Sequence, residues 1–184
     1  MEFYPLKIEG AFGIIEEPHE DSRGTLIRVW DRNSILGNFN LNQSSVVSNP
    51  MKGTLRGLHY QVQPFSENKV IECVSGKVFD VIVDLRKESL TYGAHLGITL
   101  GPQERYLGVF VPAGCAHGYL TLDPNSTLVY FMDQEYSPNP AKGLPWNDSS
   151  LSIEWPIKPV LVSTRDTKWL DSASQGHLFT MLGE

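Results

Sequence analysis

The chain has 184 residues, a formal net charge of −6, 16 glycines, 12 prolines and two cysteines. That length suits one domain whose core needs neither disulfides nor a structural metal, and the acidic balance disfavours a general nucleic-acid binder while leaving room for a local anion site built from a few arginines. Cys73 and Cys115 match no zinc spacing and are expected as buried thiols; the first residues show no apolar run or cleavage signature, which argues against a secretory signal, and no stretch reaches membrane length, so a cytoplasmic protein without membrane association is expected.

In chain order, β-rich runs are predicted over residues 24–30, 44–48, 54–61, 69–74, 76–86, 95–100, 106–111, 118–122 and 127–132. Turn residues separate them, among them Asn49-Pro50, Ser75-Gly76, Gly101-Pro102 and Asp123-Pro124-Asn125. The run at 76–86 alternates cleanly. Phe79, Val81, Val83 and Leu85 point one way, and Val78, Asp80, Ile82 and Asp84 the other, so one face is apolar and two acids meet solvent or line a cavity. One-turn helices are expected at 32–36 and 166–172. Many short strands at this spacing predict a sandwich or barrel in a single domain, with a core at about 17–156 and a tail at 157–184.

Two segments carry chemistry. Residues 52–61 read KGTLRGLHYQ, and residues 111–119 read VPAGCAHGY. Without a bulge, Thr54, Arg56, Leu58 and Tyr60 share one face of the first strand, and Leu55, Gly57, His59 and Gln61 the other; the glycines could alter that parity. A His followed later by Pro-x-Gly-x-x-His is the layout of the two cupin motifs, in which both histidines point into the barrel. A metal-binding cupin would show His-x-His and then Glu. Here His59-Tyr60-Gln61 offers one ligand, and Lys69 stands near the place of the Glu, so no metal is expected. The same groups suit proton transfer. An imidazole can take a proton from a carbon beside a ketone, a cation can stabilise the enolate oxygen, and a tyrosine on the opposite side can return the proton. His59, Lys69, His117 and Tyr130 are the candidates, and Asp84 is a partner for His59 if it faces the same cavity.

These segments, together with Asp21-Ser22-Arg23-Gly24, FDVIVDLR at 79–86, Tyr136-Ser137-Pro138 and Ser163-Thr164-Arg165-Asp166, resemble the dTDP-4-dehydrorhamnose 3,5-epimerase family from about residue 17 to 169. The resemblance implies an all-β, cupin-type double-stranded β-helix (jelly roll) with a short helical C-terminal tail. It implies a homodimer that uses no cofactor and no metal, acting on a nucleotide-diphosphate sugar, most directly dTDP-4-dehydro-6-deoxy-D-glucose. In that light His59 resembles the general base, Asp166 the carboxylate that orients it, Tyr130 the general acid and Lys69 the enolate stabiliser beside His117. Arg23 and Arg56 resemble clamps for the diphosphate and sugar, where a guanidinium fork suits phosphate oxygens. Gln43, Tyr136 and Arg165 match positions that touch the nucleotide or sugar.

Four positions depart from the family pattern. Ser45 replaces a frequent Asn, Arg28 a frequent Glu (as in one branch), Cys115 a Phe and Ala141 an acid. Ser45 and Arg28 therefore bear on which sugar is bound. Readings of other kinds are a 3-only or 5-only epimerase, a keto-sugar isomerase, a metal-dependent cupin and a binding module without catalysis.

Overall fold

The computed structural model describes residues 1–31, 39–137 and 141–176. The turn expected at 32–36, Pro138 of the Tyr-Ser-Pro motif and the end of the chain lie outside them. Among the described residues fourteen strands follow in order: β1 (Glu2–Pro5), β2 (Phe12–Ile15), β3 (His19–Asp21), β4 (Gly24–Leu26), β5 (Gln43–Asn49), β6 (Thr54–Gln61), β7 (Lys69–Ser75), β8 (Val78–Asp84), β9 (His95–Leu100), β10 (Gly108–Val111), β11 (Cys115–Thr121), β12 (Ser126–Met132), β13 (Ala141–Gly143) and β14 (Leu161–Val162). Helix among the described residues is limited to one 3₁₀ turn, Ala173–Gln175. The segment expected to be helical at 166–172 instead makes a hydrogen-bonded turn and then runs without regular structure.

The strands form two large sheets. One has the order β1-β2-β10-β7-β12-β5, and the other β13-β6-β11-β8-β9 with β14 paired to β6. The hairpin β3-β4 stands apart. Strands β1 to β3, β13 and β14 were not foreseen. They are four residues or shorter, too brief for alternation to register against turn composition.

Alternation explains the packing. Ile71, Cys73, Val109 and Leu128 of the first sheet meet Val78, Ile82, Leu100, Cys115 and Tyr119 of the second. Each of the larger side chains, once fully buried, contributes roughly 1.5–3 kcal/mol. Both cysteines are buried and free, and burial pushes each thiol up to about 12.

The second sheet is covered on both sides. Its outer face, with Val81, Val83 and Leu85, packs under Leu144, Leu151, Ile153 and Trp155. That explains why the apolar face of β8 is so complete, and why Asp80 and Asp84 are buried rather than exposed. The outer face of the first sheet carries Ile14, Val70 and Phe131 under Trp30 and Phe39, with Trp30 stacked on Phe131 at 5.4 Å. Glu72 is the anomaly, lying in the same strand as Val70. It is fully buried, neither carboxyl oxygen has a hydrogen-bond partner among the described residues, and burial beside Glu16 raises its pKa to about 9.

Candidate active site

A cavity of about 360 Å³ opens between the two sheets. The second sheet supplies Arg56, His59 and Gln61 from β6 and His117 from β11. The first supplies Lys69 from β7 and Tyr130 and Met132 from β12. Loops add Glu67, Tyr136, Ser163, Arg165 and Asp166.

Strand β6 reaches the cavity with two residues that simple alternation would separate. Arg56 lies opposite Tyr119 and His59 opposite His117, so three steps on β6 match two on β11. This is a β-bulge, and it moves Arg56 to the His59 side while Leu58 and Tyr60 turn to the outer core. The unbroken parity read from the sequence is corrected here. Gly57 makes the bulge possible. Its φ is +126°, and a Cβ there would sit 2.6 Å from the Gly118 Cα.

The nearest partner of His59 comes from the far end of the chain. Strand β14 runs parallel to the start of β6, with Leu161 beside Thr54 and Val162 beside Leu55. The following turn is closed by Ser163, whose Oγ accepts from the Asp166 N–H at 3.1 Å. Asp166 Oδ1 then meets His59 Nε2 at 2.6 Å, Oδ2 accepts from the Gly57 N–H at 3.3 Å, and the Trp169 indole donates to Oδ1 at 3.3 Å. Burial alone would raise the Asp166 pKa, but the hydrogen bond and charge of His59, with the Gly57 amide, outweigh it and hold the carboxyl below its ordinary range. Asp84, the rival partner, is engaged elsewhere, by Arg86, Ser89 and Thr91, and those bonds overcome its burial to bring it to about 2.

A second imidazole–carboxylate pair lies deeper. His117 Nε2 is 2.7 Å from Asp80 Oδ2, and both residues are buried. Sequence reading placed Asp80 on a face that solvent or a cavity could own. The signal that selects it is register, because β8 sets Ile82 opposite His117 and Asp80 two residues along on the same face.

Tyr130 faces these groups from the other sheet, with its ring centroid 6.0 Å from that of His117. Burial, with Tyr119 and Asp80 nearby, raises its phenol well above the usual value, so it carries its proton at neutral pH. Lys69 is buried and ion-paired to Glu67 at 3.0 Å, and its ammonium points back to the His59 carbonyl at 3.5 Å. Neither Glu67 nor Gln61 stood among the sequence candidates. Among the described residues no three His, Cys, Asp or Glu side chains gather as a metal would require.

The remaining candidates divide. Arg56 donates from Nε to Asn49 Oδ1 at 3.0 Å at the cavity wall. Tyr136 accepts from Arg165 through its hydroxyl at 3.0 Å, Gln43 accepts the Tyr136 amide at 3.1 Å, and Arg165 also lies over the Trp169 ring. Ser45 pairs across the ladder with Tyr130 but does not line the cavity. Arg23 and Arg28 are not brought to the cavity within this chain. Arg23 is 88% exposed on the β3-β4 hairpin, bound to Asp21, and Arg28 faces Asp31 at 3.8 Å.

Residues 5–173 match the family model described as dTDP-4-dehydrorhamnose 3,5-epimerase. A dTDP-4-dehydrorhamnose 3,5-epimerase of Shigella flexneri is 41% identical over 119 residues, and the match spans 65% of each chain. Among solved structures, the rmlC epimerase of Mycobacterium tuberculosis superposes with a TM-score of 0.88 at 32% identity, covering 97% of this chain and 93% of that one. The dTDP-6-deoxy-D-glucose-3,5-epimerase of Legionella pneumophila, solved in complex with dTDP-4-keto-L-rhamnose, superposes at 0.83 and 28% identity, covering 90% and 89%.

Proposed function

The chain belongs to the dTDP-4-dehydrorhamnose 3,5-epimerase family, and from that we propose that it is an isomerase of dTDP-4-dehydro-6-deoxy-D-glucose, inverting C3 and C5 to give dTDP-4-dehydro-L-rhamnose. The observation that carries the reading is the placement of a base and an acid on facing walls of one cavity: His59 on β6, backed by ionised Asp166, and protonated Tyr130 on β12.

The reaction follows from that arrangement. His59 removes a proton from a carbon beside the 4-ketone, and Asp166 stabilises the imidazolium that forms. The electron pair moves to the ketone oxygen as an enolate. Lys69 and His117 line the same cavity and donate to that oxygen, which is stronger in a site with little water. Tyr130 then delivers a proton from the opposite face, which inverts the carbon. Arg56 and Arg165, at the cavity wall with Tyr136, are suited to the diphosphate and nucleotide ends. Rotation of the ring between two such cycles would serve C3 and C5 in turn.

A homodimer accompanies the proposal. Strand β5 ends its sheet with Ser44, Val46 and Ser48 exposed, an edge that a second copy could cover. Sedimentation of the purified chain tests this and should give twice the monomer mass.

The test of the activity is incubation with dTDP-4-keto-6-deoxyglucose in deuterated water, followed by NMR. Deuterium at both C3 and C5 with formation of the L-sugar is expected. Labelling of a single carbon would reduce the assignment to a mono-epimerase. No exchange at either would overturn it.

A further inference from the structure

We propose that Glu67 is a positioning residue for this reaction, aiming the Lys69 ammonium at the oxygen where enolate charge gathers. The inference rests on the epimerase reading above and adds a residue to it.

Glu67 and Lys69 form an ion pair at 3.0 Å in the cavity wall, with side chains only 6% and 8% exposed. Both line the cavity. An ammonium has three donors in tetrahedral array. One is taken by Glu67 Oε1 and a second is directed at the His59 carbonyl, 3.5 Å away. With two directions engaged the third is fixed, and because Lys69 lines the cavity that third donor is assigned to it.

Glu67 is itself pinned. Its Oε2 accepts from Gln61 Nε2 at 3.2 Å, and Gln61 also donates to the carbonyls of Phe65 at 3.0 Å and Glu135 at 3.3 Å. The Gln61 Oε1 accepts from the Ser137 amide at 2.8 Å. The lysine is thus tied through Glu67 and Gln61 to the segment that carries Tyr136. A free four-carbon stem would sample many rotamers, whereas enolate stabilisation requires a donor held at hydrogen-bond distance from the developing charge.

Glu67 also has an opposing effect, because its negative charge subtracts from the field Lys69 projects into the cavity. Position is assigned the larger weight, and Glu67→Gln separates the two. The amide is nearly isosteric and removes the opposing charge. It cannot satisfy both neighbours, however, since whichever end carries the NH₂ turns a donor toward either Lys69 or Gln61.

The experiment measures steady-state epimerisation and deuterium exchange for wild type, Glu67→Gln, Glu67→Asp and Lys69→Met, and for Glu67→Gln combined with Lys69→Met. Circular dichroism monitors the fold. Glu67→Gln is expected to lower kcat about 10- to 100-fold with KM within about 3-fold, below the roughly 10²–10³-fold typical for outright loss of an oxyanion donor. Glu67→Asp should recover part of the loss. In the Lys69→Met background Glu67→Gln should cost nothing further, because its route of action is already gone. A folded Glu67→Gln with unchanged or raised kcat would overturn the proposal, as would an equal loss in the Lys69→Met background. An inactive wild type would instead overturn the epimerase reading, and the proposal with it.

Discussion

Asp166 lies 107 residues beyond His59 in the chain and 2.6 Å from it in space, with its carboxylate on the imidazole Nε2. The short parallel strand β14 makes this possible by docking the last part of the chain beside β6. The contact gives the imidazole a fixed orientation and a nearby negative charge, which the proposed mechanism requires once the ring has taken a proton from carbon.

Replacing that charge separates orientation from electrostatics. Asp166→Asn keeps an oxygen that can face His59 but carries no charge. It is expected to lower kcat by about 10²–10⁴-fold while changing KM little, because the proposed mechanism assigns substrate binding to other groups. Steady-state kinetics with the 4-keto sugar nucleotide checks this. A loss confined to KM would assign Asp166 to binding.

The facing walls give a stereochemical expectation. Under the proposed mechanism, Tyr130→Phe keeps the base and removes the acid. Deuterium should still enter the unconverted substrate, because His59 can return a solvent-exchanged proton to the face it came from. Net inversion should fall about 10²-fold or more. NMR that follows exchange and product in one sample distinguishes the two. Equal loss of both would contradict assignment of Tyr130 as the acid alone.

The bulge in β6 makes a structural prediction. Gly57→Ala adds a Cβ where φ is +126° and the Gly118 Cα lies 2.6 Å away. Strain of about 1–3 kcal/mol is expected from the backbone alone. If the strand relaxes by losing the bulge, Arg56 returns to the face opposite His59. Thermal melting should show a lower midpoint, and activity should drop beyond what the lost stability explains.

Glu72 predicts an unusual pH dependence. Its folded pKa of about 9 lies above the ordinary 4.5 that the unfolded chain would show. Between those values the folded state binds more protons than the unfolded state, so stability falls as pH rises from about 4.5 toward 9. At pH 7 this group costs about 3 kcal/mol. Glu72→Met, which removes the buried carboxyl and its repulsion by Glu16, should raise the urea midpoint at pH 8 and leave it almost unchanged at pH 4.5. Equal gains at both pH values would show packing as the cause.

Much of this protein was legible in the order of its residues. Period-two alternation and turn chemistry located nine of the strands, because side chains on a pleated strand must alternate between faces whatever lies across from them. The two histidine motifs singled out His59 and His117, and both line the cavity. What alternation could not show was any feature that depends on a partner strand. The bulge that brings Arg56 beside His59 is defined by counting residues on β6 against β11. The choice of Asp166 over Asp84 for His59, and of Asp80 for His117, was likewise made by register and by a two-residue strand from the far end of the chain. Glu67 and Gln61 looked like ordinary polar residues until burial left them with each other and Lys69. Periodicity is a local property of the chain, set by backbone geometry. A hydrogen bond between residues a hundred positions apart is set by how the sheets close, and that closure is a property of the folded molecule.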